Sequence, residues 1–475
     1  MLTLTDLFCG AGGSSTGAEM VPGVEVVMAV NHWRLAVATH AANHPGTAHD
    51  CADISQVDPR RYPSTDLLWA SPECTNHSIA RGMSRRRQAE ARRADLLGPL
   101  EADPPPGEEA AVRSRATMWD VVRFAEHHAY RAIVVENVVE AASWVLFPAW
   151  RSALMALGYD MRLICLNSMH AASGGLPAPQ SRDRLYVVAW QRGDTAPDLE
   201  PVIRPWAWCE THGWVRALQA FKNPARRAGR YRSQYIYRCP QTSCRNRVVE
   251  PPTLPATSII DWTDPGTRIG DRERPLAPRT LDRIRAGIRR YWGGDWAPRP
   301  PAGQGSDRAP STAAGVLRAR ADSAPPSAVQ PFIAELRGGG SDARPVTDPL
   351  ATVTASGNHH ALVCRGAAPD GAPAGLLMRN NSARGGRAHL TTPASEPART
   401  ITAAGRQSLL TGRTTDLDDV RFRMLTPDEV KLAMAFPGDY VVLGNRRERV
   451  RQAGNAVTPP AARDIVAALA RALIP

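Results

Sequence analysis

A cysteine, a carboxylate and two arginines stand where they could act on a bound substrate. Cys74 lies in Trp69-Ala-Ser-Pro-Glu-Cys-Thr-Asn-His-Ser78, directly after the apolar run Thr65-Asp-Leu-Leu-Trp-Ala70. A thiol on a loop at the end of a buried strand is where an α/β enzyme places a nucleophile. Glu136-Asn137 follows a second apolar run, Ala132–Val135, and Gln180-Ser-Arg-Asp-Arg184 brings Arg182 and Arg184 ahead of a third, Leu185–Trp190. Taken singly, each has an ordinary reading: Cys74 as an inert buried thiol, Glu136 as a strand-end carboxylate, the arginines as surface cations. Phe8-Cys-Gly-Ala-Gly-Gly13 is a glycine-rich turn through which backbone can approach a ligand closely, although it lacks the full spacing of a dinucleotide-binding fingerprint. Asp53-Ile54 supplies a carboxylate and an apolar side chain suited to an adenine, or a simple cap.

The elements that must position these residues alternate in type. Leu2–Phe8 reads as a first strand, followed by a helix beginning near Ser14 or Ser15. Val24–Val30 is a second strand, Arg34–Asn43 a helix, and a third strand ends near Asp53. Further strands are expected at Asp66–Ala70, Ala132–Val135 and Leu185–Trp190, with helices between them. Strands alternating with helices imply an α/β fold with a parallel, doubly wound sheet, whose ligands lie beyond the carboxyl ends of the strands. All the motifs fall there. Leu425-Thr-Pro-Asp-Glu-Val-Lys-Leu-Ala-Met434 opens with a Thr cap, Pro at the first helical position and acids in the first turn. A final helix is expected from Pro460 to Ala472, packed back on the sheet.

At 475 residues the chain is long enough for two or three domains. Without a leader-like start or an apolar run of transmembrane length, the expectation is a soluble, cytoplasmic protein. Its net charge of +12, mostly arginine, suits a polyanionic partner. The eight cysteines lack the spacing of a disulfide scaffold and read as reduced thiols. Between Arg81 and Arg115 the clusters Arg85-Arg-Arg87 and Arg92-Arg93 form a basic insertion, either solvated or folded over a nucleic acid beside Cys74. From about 191 to 420 the alternation fades. There Pro349-Leu-Ala-Thr-Val-Thr-Ala-Ser-Gly-Asn-His-His-Ala-Leu362 is echoed by Pro397-Ala-Arg-Thr-Ile-Thr-Ala-Ala-Gly-Arg-Gln-Ser-Leu-Leu410 at an offset of 48, a duplicated strand-turn unit in a smaller domain. Gly293–Ser327 has the composition of a disordered linker.

Six motifs, in order, resemble those of the DNA (cytosine-5) methyltransferases: Asp6-Leu-Phe-Cys-Gly-Ala-Gly-Gly13, Pro72-Glu-Cys74, Glu136-Asn-Val138, Gln180-Ser-Arg-Asp-Arg184, Arg423-Met-Leu-Thr-Pro-Asp-Glu429 with Phe436-Pro437, and Gln452-Ala-Gly-Asn-Ala-Val457. The resemblance implies a Rossmann-like catalytic domain over 1–190 and 421–475, and an inserted, mostly β target-recognition domain over 191–420. It implies that Cys74, as thiolate, adds to carbon 6 of a cytosine flipped out of duplex DNA, so that carbon 5 can take a methyl group. Glu136, preferably with a raised pKa, would protonate or hydrogen-bond ring nitrogen 3, while Arg182 and Arg184 stabilise the base carbonyl. S-adenosylmethionine would lie over the Phe8–Gly13 turn, held by Phe8, Gly10, Gly12 and Gly13, with Asn31, His32, Asp53, Ile54 and Pro72 along its edge and Asn455 and Val457 closing the pocket. Double-stranded DNA is then the expected partner, with a cognate restriction endonuclease where the role is restriction-modification rather than solitary or phage-encoded. A monomer held at the nucleoid by its DNA is the expected state. A tRNA-cytosine methyltransferase and a non-catalytic DNA-binding protein of the same fold are the alternatives.

The sequence departs from the family pattern at Glu73, where a second proline is usual, and at Asn31, where an acidic residue usually holds the ribose. A carboxylate beside Cys74 would raise the thiol pKa unless paired. In the middle region Cys209-Glu-Thr-His212 and Cys239-Pro-Gln-Thr-Ser-Cys244, separated by 26 residues, could hold a tetrahedral zinc or be unrelated thiols. Arg226, Arg227, Arg230, Arg232, Arg245 and Arg247 interleave with Tyr231, Tyr235 and Tyr237, a mixture suited to phosphates and base edges.

Overall fold

The computed structural model describes residues 1–73, 108–291 and 417–474, with eight short strands between the last two spans, at 332–335, 344–345, 350–351, 360–365, 374–379, 391–393, 398–400 and 407–411. Cys74, the basic clusters at Arg85–Arg87 and Arg92-Arg93, and the Gly293–Ser327 stretch lie outside the described residues.

Seven strands form the central sheet: β1 (Leu2–Leu7), β2 (Val24–Val30), β3 (Ala48–Asp50), β4 (Leu67–Ala70), β5 (Ala132–Asn137), β6 (Tyr159–Asn167) and β7 (Asp183–Gln191). Their spatial order is β3-β2-β1-β4-β5-β7-β6. Side chains alternate between two buried faces: Leu67 and Trp69 enter one core cluster, Leu68 and Ala70 the other. Burial on both faces explains why these strands read as continuous apolar runs. Each buried Leu, Val or Ile contributes about 1.5–3 kcal/mol. One face is covered by α1 (Gly13–Glu19) and the carboxyl-terminal helix α8 (Pro459–Leu473); the other by α3 (Glu108–His128) and α4 (Phe147–Ala156).

The sheet is parallel from β3 through β5, as expected. β7 runs antiparallel to β5, and β6 antiparallel to β7, with register Tyr159↔Gln191 through Asn167↔Asp183. Strand β6 has no counterpart in the sequence reading, because Asp160 and Arg162 interrupt its apolar pattern at the sheet edge. No helix crosses between β6 and β7, so their return is antiparallel.

The domain division expected at residue 190 is not where packing changes. Ala207, Cys209, Val215, Tyr235, Tyr237 and Val249 share one core cluster with Leu68, Ile133 and Val187 of the sheet. A separate cluster joins Ile259, Ile269, Ile284 and Leu350 to Phe422, Val430 and Val450. In this second cluster residues 422–456 pack with the 256–288 segment. There Arg421–Met424 pairs with Gln407–Thr411 and with Thr267–Arg268. The two copies of the duplicated unit also meet: Leu350–Ala351 and Ala398–Thr400 pair in parallel with each other and with Gln180–Ser181.

Candidate active site

Local geometry at the carboxyl edge follows from glycine and from buried hydroxyls. Phe8, Gly10 and Gly12 take φ of 60, 55 and 92, turning the chain sharply out of β1 into α1. A Cβ placed on Gly13 would overlap the carbonyl oxygen of Val457, and one on Gly17 that of Pro459. Glycine thus lets α1 lie directly against α8 and the chain that leads into it. Beneath the turn, Asp6 accepts from Ser14 Oγ at 2.5 Å and Ser15 Oγ at 2.7 Å. Burial pushes its carboxyl up to about 6, against the pull of those two hydroxyls. His40 joins Ser15 Oγ (2.9 Å) to His49 (2.8 Å), while His44 contacts Thr16 and Tyr440, whose hydroxyl donates to Ala11 O.

The turn fits a nucleoside-bearing cofactor. A Cβ on Gly10 would meet nothing within 4 Å, so that face of the loop opens into space. Among the described residues Asp6 Oδ1 is buried with no hydrogen-bond partner. Ile54 is buried at the same edge, whereas Asp53 is exposed and accepts from Ser55 N, acting as the cap of a short 3-10 turn. Asn31 is buried and its Oδ1 accepts from Trp33 N at 2.9 Å. From the carboxyl-terminal side, Arg451 of α7 (Arg446–Asn455) lies 4.6 Å from the Trp33 ring centroid. Val457 is buried against Gly13, while Asn455 ends α7 exposed.

Glu136, at the end of β5, pairs with Arg184 at the start of β7, Nε to Oε1 at 2.7 Å, with both side chains about nine-tenths buried. Asn137 donates to Pro72 O at 3.3 Å and its Oδ1 accepts from Val138 N. The loop entering Cys74 is thereby tied to the strand bearing Glu136. Arg182 points elsewhere: its guanidinium donates to Gly454 O (3.3 Å) and Ala456 O (2.8 Å). These bonds reach the carboxyl-terminal segment, whereas Arg184 reaches Glu136. Glu73, exposed beside Pro72, has His32 Nε2 at 3.8 Å.

The profile of the C-5 cytosine-specific DNA methylase family matches residues 2–100 and 366–471. Over those residues, a little under half of its length, the chain is similar to this family. The Type II methyltransferase M.HgiDI of Herpetosiphon aurantiacus is 27% identical over 203 residues, 42% of this chain and 55% of that protein. M.AgeI of Thalassovita gelatinovora is 25% identical over 41% of each chain, and M.HgiGI of H. aurantiacus is 37% identical over 16% of this chain and 61% of its own length. The chain spans about half the length, or less, of the first two relatives. A methyltransferase structure from Entamoeba histolytica aligns at TM-score 0.48 and 12% identity over 100% of this chain and 99% of that one, too loosely to bear on function. The matched residues of the methylase profile include the Phe8–Gly13 turn and Pro72–Cys74 but not Glu136 or Arg184.

The structure brings together the turn, Asn31, Ile54, Pro72, Glu136 and Arg184 at one edge. Sequence reasoning gave no role to Asn137, Tyr440 or Arg451. Asn137 follows Glu136 directly, which was the one available signal. The arginine and tyrosine mixture proves different in kind: Tyr231, Tyr235 and Tyr237 are buried, Tyr231 and Tyr237 against His170 and Tyr235 against both of them, so they are core. Arg230 pairs with Glu140, Arg232 with Glu250 and Arg247 with Glu210, whereas Arg226 and Arg227 are exposed. Cys209, His212, Cys239 and Cys244 do converge, their ligand atoms all within 4.8 Å of one another. No helix among the described residues is long and apolar enough to cross a membrane.

Proposed function

We propose that the protein is a DNA (cytosine-5) methyltransferase that acts on a cytosine flipped out of duplex DNA, with S-adenosylmethionine as methyl donor. The buried Glu136–Arg184 pair carries this reading, because it sets a carboxylate and a guanidinium beside the loop that leads into Cys74. S-adenosylmethionine, bound over the Phe8–Gly13 turn, supplies an electrophilic sulfonium methyl group. Phe8, Ile54, Asn31 and Pro72 line its edge, and the open face of Gly10 leaves it room.

Cys74 as thiolate adds to carbon 6 of the cytosine, which turns carbon 5 into a nucleophile. Arg184 holds Glu136 through Oε1, leaving Oε2 to address ring nitrogen 3, where a hydrogen bond or proton draws electron density during the addition. The Arg184 guanidinium faces the base carbonyl. Arg182 positions the site indirectly, by fixing Gly454 and Ala456. Once the methyl group is in place, a base, water included, removes the carbon 5 proton and Cys74 departs. Sequence readout belongs to the segment from about 250 to 420.

Bisulfite sequencing of DNA from cells expressing this chain alone tests the reading. Protected cytosines in one recurrent sequence context are expected, and they disappear with Cys74→Ser. DNA with no protected cytosines beyond those of control cells would overturn it.

A further inference from the structure

Four side chains between residues 209 and 244 are arranged in the shape of an ion's coordination shell. Cys209 closes β8 (Trp206–Cys209), and His212 sits in the turn to β9 (Gly213–Arg216). Leu218–Phe221 (β10) pairs with Tyr235–Arg238 (β11), directly before Cys239. Cys244 lies in the next turn, which Arg245 and Asn246 close with φ of 56 and 47. Two loops, the β8–β9 turn and the 239–247 loop closed by the Arg238–Val248 bridge, thus bring their ligands to one point.

The separations decide the chemistry. Cys209 Sγ is 3.6 Å from His212 Nδ1 and 3.9 Å from Cys244 Sγ, and Cys239 Sγ is 3.5 Å from His212 Nδ1. A tetrahedral zinc with Zn–S of about 2.3 Å and Zn–N of about 2.0–2.1 Å requires ligand separations of about 3.8 Å between sulfurs and about 3.6 Å from sulfur to nitrogen. A disulfide would need sulfurs at about 2.0 Å, so Cys209 and Cys244 are not bonded. The second ring nitrogen supplies an independent sign. His212 Nε2 lies 2.8 Å from Ser243 Oγ, the outer hydrogen bond that orients a metal-binding imidazole and leaves Nδ1 with its lone pair inward.

We propose that Cys209, His212, Cys239 and Cys244 bind one zinc ion as a closed structural site. Its task is to join the β8–β9 hairpin to the loop that follows β11, so that the 206–249 module holds one shape. The module so held meets the sheet through a shared apolar core and through polar anchors that include Tyr231 N donating to Asp183 Oδ1 at 2.9 Å and Gln219 Nε2 to Cys165 O at 2.9 Å. Four protein ligands leave no open position, so the ion does no chemistry on substrate. This inference stands apart from the methyltransferase reading.

The test uses the full chain purified from zinc-containing medium without chelator. Elemental analysis should find one zinc per chain. Replacement by Co²⁺ should give the intense visible d–d bands of a tetrahedral site with thiolate-to-metal charge transfer. Cys244→Ser should bind zinc at least about tenfold more weakly, while Cys51→Ser, at an exposed thiol outside the group, should keep full occupancy. Folded wild-type protein with at most about 0.1 zinc per chain and no cobalt spectrum would overturn the proposal. Because the cobalt measurement is made on the wild-type chain, a variant that fails to fold leaves the test intact.

Discussion

The sheet that carries Glu136 and the module that leans on it hold their shapes by different means. Strands β4 and β5 bury apolar side chains on both faces until Glu136, and that burial sets their register. The 206–249 module has two short hairpins, an aromatic cluster of Tyr231, Tyr235, Tyr237 and His170, and ion pairs from Arg230, Arg232 and Arg247. The sheet edge carries its functional charge on an apolar framework, with Glu136 and Arg184 buried as a pair. The module depends on specific polar and sulfur contacts, so single substitutions there should act on structure before they act on chemistry.

The largest effect that would sharpen this contrast is at Glu136. Glu136→Ala leaves Arg184 buried without its partner, so a stability loss of about 3–5 kcal/mol is expected, together with loss of methyl transfer. Glu136→Gln keeps a hydrogen-bonding oxygen and should lose activity with a much smaller shift in the urea midpoint. Equal stability losses for the two variants would show that the pair holds the fold rather than the site.

Next come two glycines of the same turn. Gly13→Ala forces a methyl group into Val457 O, with overpacking of about 1–3 kcal/mol expected in denaturation. Gly10→Ala meets open space, so it should cost about 1–2 kcal/mol of left-handed strain and weaken S-adenosylmethionine binding. Calorimetric titration separates them: the binding defect should be larger for Gly10→Ala.

Two buried histidines, one beneath the glycine turn and one packed on the tyrosines of the module, give a pH signature. Burial, with His44 and His49 nearby, pulls His40 down from 6.5 to about 2, and burial, with Arg232 nearby, pulls His170 to about 3. Both are neutral when folded, and the unfolded chain takes up protons below 6.5. Their contribution is complete above that pH and is lost as pH falls toward 2–3. Each should steepen the loss by at most about 1.4 kcal/mol per pH unit. Urea midpoints from pH 7.5 to 5 should fall, and His40→Gln should flatten the slope. The smallest effect is expected at Arg230→Ala: its pair with Glu140 is partly exposed, so at most about 1 kcal/mol, diminishing with added salt.

What the sequence disclosed follows the same division. Val24–Val30, Arg34–Asn43 and the Thr426 capping box were legible because apolar periodicity and caps are local signals. Glu136 and Arg184 were legible as candidates, but their pairing required β5 and β7 to be neighbours, which no local pattern encodes. Arg182 was grouped with Arg184 because the two share a motif. Their side chains leave the strand at different points, one toward Gly454 and Ala456 and one toward Glu136. Tyr235 and Tyr237 misled because aromatic residues among arginines fit a nucleic-acid surface and a small core equally well. The partner of Glu73 was not legible either, since His32 reaches it from the end of another strand.

The most direct measurement of the central claim is transfer of a labelled methyl group from S-adenosylmethionine to duplex DNA, with the modified base identified after digestion. The account predicts label in 5-methylcytosine with the native chain and none with Cys74→Ser. Unmodified DNA after incubation with folded native protein, or a full rate with Cys74→Ser, would contradict it.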